Sequence, residues 1–151
     1  MTEIRFYHAQ YSSLDQVLPG ILGKALSGGR RIVVCFADKT LVEQMNEHLW
    51  TYNPDSFLPH GSVKDGFASD QPVWLTDQAE NPNGADVLVT VRGATHELPP
   101  NLADFTLCCD MIDGRLDDDV AAARARWKAY KDAGHDVTYW QQTDKGWEKK
   151  A

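Results

Sequence analysis

Hydrophobic and polar positions follow two rhythms along the chain. Ile4-Arg5-Phe6-Tyr7-His8 is short and aromatic and predicts a strand. Leu14, Val17, Leu18, Ile21, Leu22, Ala25 and Leu26 recur at i, i+3, i+4 and i+7, the apolar face of a helix. Ser12 or Ser13 is placed to cap it. Pro19 lies inside this pattern with Gly20 and Gly23 after it, which predicts a kinked helix or one that starts properly near Pro19. Gly28-Gly29 stops it. Arg30 to Phe36 carries a continuous apolar run, the mark of a strand covered on both faces. Asp38 or Thr40 opens a second helix, with Leu41, Val42, Met45 and Leu49 as its apolar face, running to about Trp50.

Residues 51 to 72 read as irregular, with breakers at Asn53-Pro54, Pro59-His60-Gly61, Asp65-Gly66 and Pro72. Strands are predicted at Val73-Trp74-Leu75-Thr76, at Asp86 to Val91 and from Phe105 to Ile112. A loop with Pro99-Pro100 spans residues 93 to 103. A long helix runs from Leu116 to about Ala133 and stops at Gly134. Val137 to Trp140 is a last strand, and the polar residues 141–151 are expected to fray. The expectation is an α/β fold in a single domain, residues 1–140, with a mainly parallel sheet and helices on both faces. Strands near 4–8, 31–36, 86–91 and 105–111 are expected at its centre.

Composition narrows the function. A chain of 151 residues, 42% hydrophobic and 25% charged, has the material for a packed core, which argues against disorder. No apolar run approaches the roughly 20 residues of a membrane span. Met1 to Arg5 lacks a charged region followed by an apolar one, so the expected compartment is the cytoplasm. The formal charge of −7 disfavours a direct grip on duplex DNA.

The usual chemical motifs are missing. There is no phosphate-binding loop, and Gly28-Gly29 precedes a strand instead of opening a helix. There is no nucleophile elbow. Cys35, Cys108 and Cys109 match neither a disulfide framework nor a zinc pattern, and the five histidines stand singly. Asp117-Asp118-Asp119 fits a helix start, where acids complement the positive end; a metal triplet is the sharper reading. No catalytic residue, metal or cofactor is expected.

Two features invite binding. On the helix 116–133, Ala122, Ala125, Ala129 and Ala133 fall on one side and are expected to lie flush on the sheet. Val120, Arg124, Trp127, Lys128 and Lys131 share the opposite arc, expected to face outward. Either these cations are a solvated stem over Trp127, or the arc recognises an acidic peptide with an apolar anchor. The second feature is Trp50 with Phe57-Leu58-Pro59-His60, either a loop folded on the core or a docking face for a partner.

In order along the chain, Phe6-Tyr7, Gly29-Arg30-Arg31-Ile32-Val33-Val34, Leu49-Trp50 with Phe57-Leu58-Pro59-His60, Asp86-Val87-Leu88-Val89 and Arg126 to Gly134 resemble the chi subunit of bacterial DNA polymerase III holoenzyme. The resemblance implies a Rossmann-like fold without a nucleotide site and a non-catalytic bridging role. One face would bind the psi subunit of the clamp-loader complex, the other the acidic C-terminal tail of single-stranded-DNA-binding protein, so that DNA is reached only indirectly. By position, Arg124, Trp127 and Lys128 look like tail-binding residues, with Val120 and Lys131 beside them. Trp50, Phe57, Leu58, Pro59 and His60 look like the psi-facing surface. Trp127 stands where a tyrosine is usual. Two other classes stay open: an enzyme on a Rossmann-like fold with a small-molecule site, and a degenerate helicase-type domain, which the missing phosphate loop disfavours.

Overall fold

The computed structural model describes residues 2–51, 59–63, 65–91 and 102–151. Phe57, Leu58, Asn53-Pro54 and Pro99-Pro100 lie outside the described residues. In chain order the elements are β1 (Glu3–Ala9), α1 (Leu14–Ser27), β2 (Ile32–Cys35), α2 (Lys39–Thr51), β3 (Gly61–Ser62), β4 (Val73–Thr76), β5 (Val87–Val91), β6 (Leu107–Asp113), α3 (Asp117–Asp132), β7 (Asp136–Thr143) and β8 (Gly146–Lys149). The sheet runs β3-β4-β2-β5-β6-β1-β7-β8. Every neighbouring pair is parallel except β7 with β8. The four strands expected at the centre are the middle four.

Period-2 alternation splits the sheet into two cores. One face carries Ile32, Val34, Val73, Leu75, Val89 and Met111 under Leu18 and Leu22 of α1 and Val42, Met45 and Leu49 of α2. The other carries Ile4, Phe6, Val33, Trp74, Leu88 and Cys108 under Ala123 and Tyr130 of α3. Helices therefore cover both faces of a mostly parallel sheet.

Pro19 does not interrupt α1. The proline has no N–H for the Asp15 carbonyl four residues back. His48 Nε2, on α2, donates to that carbonyl instead at 2.7 Å. Ser13 caps the helix in a reciprocal box with Gln16. Asp38 caps α2 by accepting from the Leu41 N–H at 2.9 Å. Gly29, at φ +77°, makes the left-handed turn out of α1.

Two further expectations are corrected. The polar tail does not fray: β7 continues to Thr143 and β8 returns antiparallel to it. Its polarity belongs to an edge hairpin with one anchor, Trp147, whose ring meets Tyr7 edge-on at 5.1 Å. The Gln142 carboxamide also accepts from the N–H groups of Gln10 and Tyr11, both at 2.9 Å. The second correction concerns α3. Ala122, Ala125, Ala129 and Ala133 are exposed, and the sheet-facing side is Asp119, Ala123, Arg126 and Tyr130.

Candidate functional site

Arg126 sets the orientation of α3. Its guanidinium donates through Nε and an Nη to both oxygens of Asp110 on β6, at 2.7 and 2.9 Å, with Asp110 fully buried. A buried ion pair is costly to desolvate and is tolerated when both groups are this well satisfied. Burial pushes the Asp110 carboxyl up, while the guanidinium holds it down. Tyr130, one turn on, is 1% exposed and meets Phe6 edge-on at 5.9 Å. A charged and a phenolic residue thus take the buried side. The alanines stand outward, where they cost nothing and favour the helix.

This rotation brings Val120, Arg124 and Trp127 to one flank of α3, against β1, β6 and β7. Together with Phe6, His8, Ile112 and Tyr139 they line a cavity of about 320 Å³. The strand register explains the grouping. Phe6 is opposite Tyr139 on β7, and His8 is opposite Ile112 on β6, so all four side chains share the α3 face. Trp127 packs against Phe6 at 5.5 Å and meets Tyr139 edge-on at 6.1 Å. Ala151 closes one end, led there by Lys150, whose N–H donates to the Tyr139 carbonyl at 2.8 Å.

The cavity is an apolar socket with a cationic rim. Arg124 is exposed and forms no ion pair with a described residue. Lys131 places its Nζ 4.9 Å from the centre of the Trp127 ring, on the range of a cation–π contact. Lys128 is exposed on the same helix but does not line the cavity. The expected arc faces outward only in part: Val120 and Trp127 are half-buried, and Arg124, Lys128 and Lys131 are exposed. His8 is hydrogen-bonded through Nδ1 to the Tyr139 hydroxyl. Burial pushes the His8 imidazole down; Asp119 opposes this and Arg124 adds to it. Burial also holds Tyr139 protonated, its pKa raised.

Phe6, His8, Ile112 and Tyr139 were not among the sequence-predicted site residues. The signal was available: alternation puts Phe6 and His8 on one face of β1. The pairing that brings Tyr139 beside Phe6 is a long-range fact that no local pattern carries.

The second surface lies around β3. Trp50 is 50% exposed at the end of α2 and lies 4.4 Å from the His60 ring. His60 is itself buried, and its Nε2 donates to the Asn46 carbonyl at 3.0 Å. It backs Trp50 from beneath, and Pro59 beside it is half-buried. Val63 and Phe67, 70% and 77% exposed, follow β3 in the chain. Phe67 takes a left-handed conformation at φ 57°, uncommon for a bulky residue. Neither stood out in the sequence.

Other candidates resolve otherwise. Burial pushes the Cys35 thiol up to about 11 and the Cys109 thiol up to about 12, and raises Cys108 as well. Little thiolate exists at neutral pH. Asp119 accepts from the Asp113 N–H at 2.7 Å, tying the start of α3 to the end of β6. No cluster of metal-ligating residues occurs among the described residues, and none of their helices is long and apolar enough to cross a membrane.

Residues 1–138 match the family described as DNA polymerase III chi subunit, HolC. A Rickettsia prowazekii protein named probable DNA polymerase III subunit chi is 32% identical over 91 residues, 60% of this chain and 55% of that relative. The chain thus spans little more than half the length of that protein. The DNA polymerase III subunit chi of Escherichia coli is 26% identical over 130 residues, 83% of this chain and 84% of its own length. With the family match covering most of its length, the chain belongs to the DNA polymerase III chi subunit family.

Proposed function

We propose that this chain is a non-catalytic accessory subunit of the replicative DNA polymerase in the bacterial cytoplasm. It bridges a psi-type subunit of the clamp-loader complex and the C-terminal tail of single-stranded-DNA-binding protein. The observation that carries this reading is the α3 cavity: an aromatic socket beside an unpaired guanidinium. An acidic tail that ends in an apolar residue presents one side chain and a free carboxylate close together. Val120, Trp127, Phe6 and Tyr139 suit the side chain, and Arg124 suits the carboxylate, since a guanidinium fork matches its two oxygens. Lys128 and Lys131 extend the positive field toward the acids that precede it. The psi-type partner belongs on the Trp50 surface, where an exposed indole over a buried histidine is the anchor such interfaces use. Phe57 and Leu58 are proposed to complete it. An overall charge of −7 fits a protein that reaches DNA through another protein.

The test is calorimetric titration with an acidic peptide ending in phenylalanine, against the same peptide lacking that residue. Binding is expected for the first and lost for the second. Equal binding of both excludes the socket.

A further inference from the structure

Among the described residues, the face of the sheet under α1 and α2 is incompletely covered. Past α1 the groove floor is formed by the middle of β1 and the starts of β5 and β6, and its far side by the β7–β8 hairpin. The resulting groove holds about 640 Å³ and lies on the opposite face of the sheet from the Arg124 cavity. One wall is a side of α1, where Val17, Ile21 and Ala25 are half-buried with Gly20 and Lys24 beside them. The other wall is Trp140 and Trp147, half-buried around Tyr7, with Trp140 stacked on that ring at 6.3 Å.

Two properties say what fits. No described residue lies within 4 Å of where a Cβ on Gly20 would be, so a neighbouring element can approach the α1 backbone closely there. The rim is also cationic. Arg5, Lys24 and Arg30 line the groove, and no carboxylate does so among the described residues, in a chain whose formal charge is −7. Arg5 and Arg30 are partly offset by Glu3 and Asp86 beyond the lining. Lys24 forms no ion pair with a described residue.

We infer that this groove takes an amphipathic α-helix of a partner protein, laid alongside α1, apolar toward Tyr7, Trp140 and Trp147 and acidic toward Arg5, Lys24 and Arg30. Such a helix completes the layer that α1 and α2 begin and uses the helix-in-groove mode of recognition. The site is independent of the tail-binding cavity.

The probe is a stapled helical peptide of α1's length, 14 residues, with Leu and Phe at i, i+3, i+4 and i+7 and Glu flanking them. Binding is followed on the indole N–H resonances of the isotope-labelled full chain. Saturable shifts are expected at Trp140 and Trp147 and not at Trp127. Gly20→Leu fills the groove from an exposed position with room for the side chain, so the fold is retained; it should weaken the probe at least about tenfold. Lys24→Glu should weaken it about fivefold. Both variants should bind the phenylalanine-ended tail peptide normally. The inference is overturned by an absence of binding, by equal binding of a scrambled or lysine-flanked peptide, or by unchanged affinity in Gly20→Leu. It is also overturned if oligothymidylate or a second copy of the chain, seen by sedimentation, occupies the groove instead.

Discussion

The α3 cavity and the β3 surface both expose a tryptophan, yet they are built in opposite ways. Trp127 stands on the wall of a concave socket, held by Phe6 and Tyr139, with the exposed Arg124 guanidinium one helical turn away. Trp50 stands out from the end of a helix, with a buried histidine beneath it and exposed Val63 and Phe67 beyond. The first arrangement suits a small ligand fitted by shape and charge, with little reorganisation. The second offers apolar area and gains its specificity only when a partner covers it. On the proposed reading the chain would hold two ligands at once, through surfaces that share no residue.

The largest effect should come from the pair that orients the cavity. Arg126→Met leaves the Asp110 carboxylate buried without its partner, which costs about 3–5 kcal/mol. The urea midpoint should fall sharply, and the double variant Asp110→Leu/Arg126→Met should recover much of the loss. If the single variant is as stable as the wild type, α3 is not held in place by this pair.

Trp127→Ala removes the socket wall and should weaken tail-peptide binding by about 2 kcal/mol or more, without affecting a psi-type partner. Trp50→Ala is the mirror experiment. It should cost the partner complex about 2 kcal/mol and leave folding stability within about 0.5 kcal/mol, because half of that residue is already in water. A large drop in melting temperature for Trp50→Ala would make this residue part of the core.

The smallest effect is a pH dependence at His8. Its pKa is lowered in the folded chain from 6.5, so the unfolded chain binds more protons. Its contribution to stability is full above about pH 6.5 and is lost as pH falls below that value. The groups facing it are Asp119, Arg124 and Tyr139. His8→Gln should flatten the slope of stability between pH 6.5 and the depressed pKa, as followed by thermal melts; an unchanged slope assigns it elsewhere.

The architecture was legible because it is written locally. Buried strands such as Ile32–Cys35 are continuous apolar runs, and α1 carries its 3.6-residue period through Pro19. The orientation of α3 was not legible. The alanines look like the packing face because small residues often are; Arg126 looks like a surface residue until Asp110, sixteen positions away, is placed beneath it. The lining of the α3 cavity was half legible for the same reason. Of the residues lining the α3 cavity, Val120, Arg124 and Trp127 share one helical flank, whereas Phe6, His8 and Tyr139 arrive through strand pairing. The terminal hairpin is not legible because edge strands are polar, and Trp147, the large apolar side chain of β8, shows no period.

If two independent surfaces bind two ligands, one calorimetric series separates them. Wild type, Arg124→Glu and Trp50→Ala are each titrated with the phenylalanine-ended acidic peptide and with a psi-type subunit. Arg124→Glu should lose about 2 kcal/mol, roughly 30-fold, toward the peptide at low salt, with a smaller loss at high salt, and bind the subunit normally. Trp50→Ala should do the reverse. Equal peptide affinities for wild type and Arg124→Glu, or a loss of both ligands in either variant, would contradict the account.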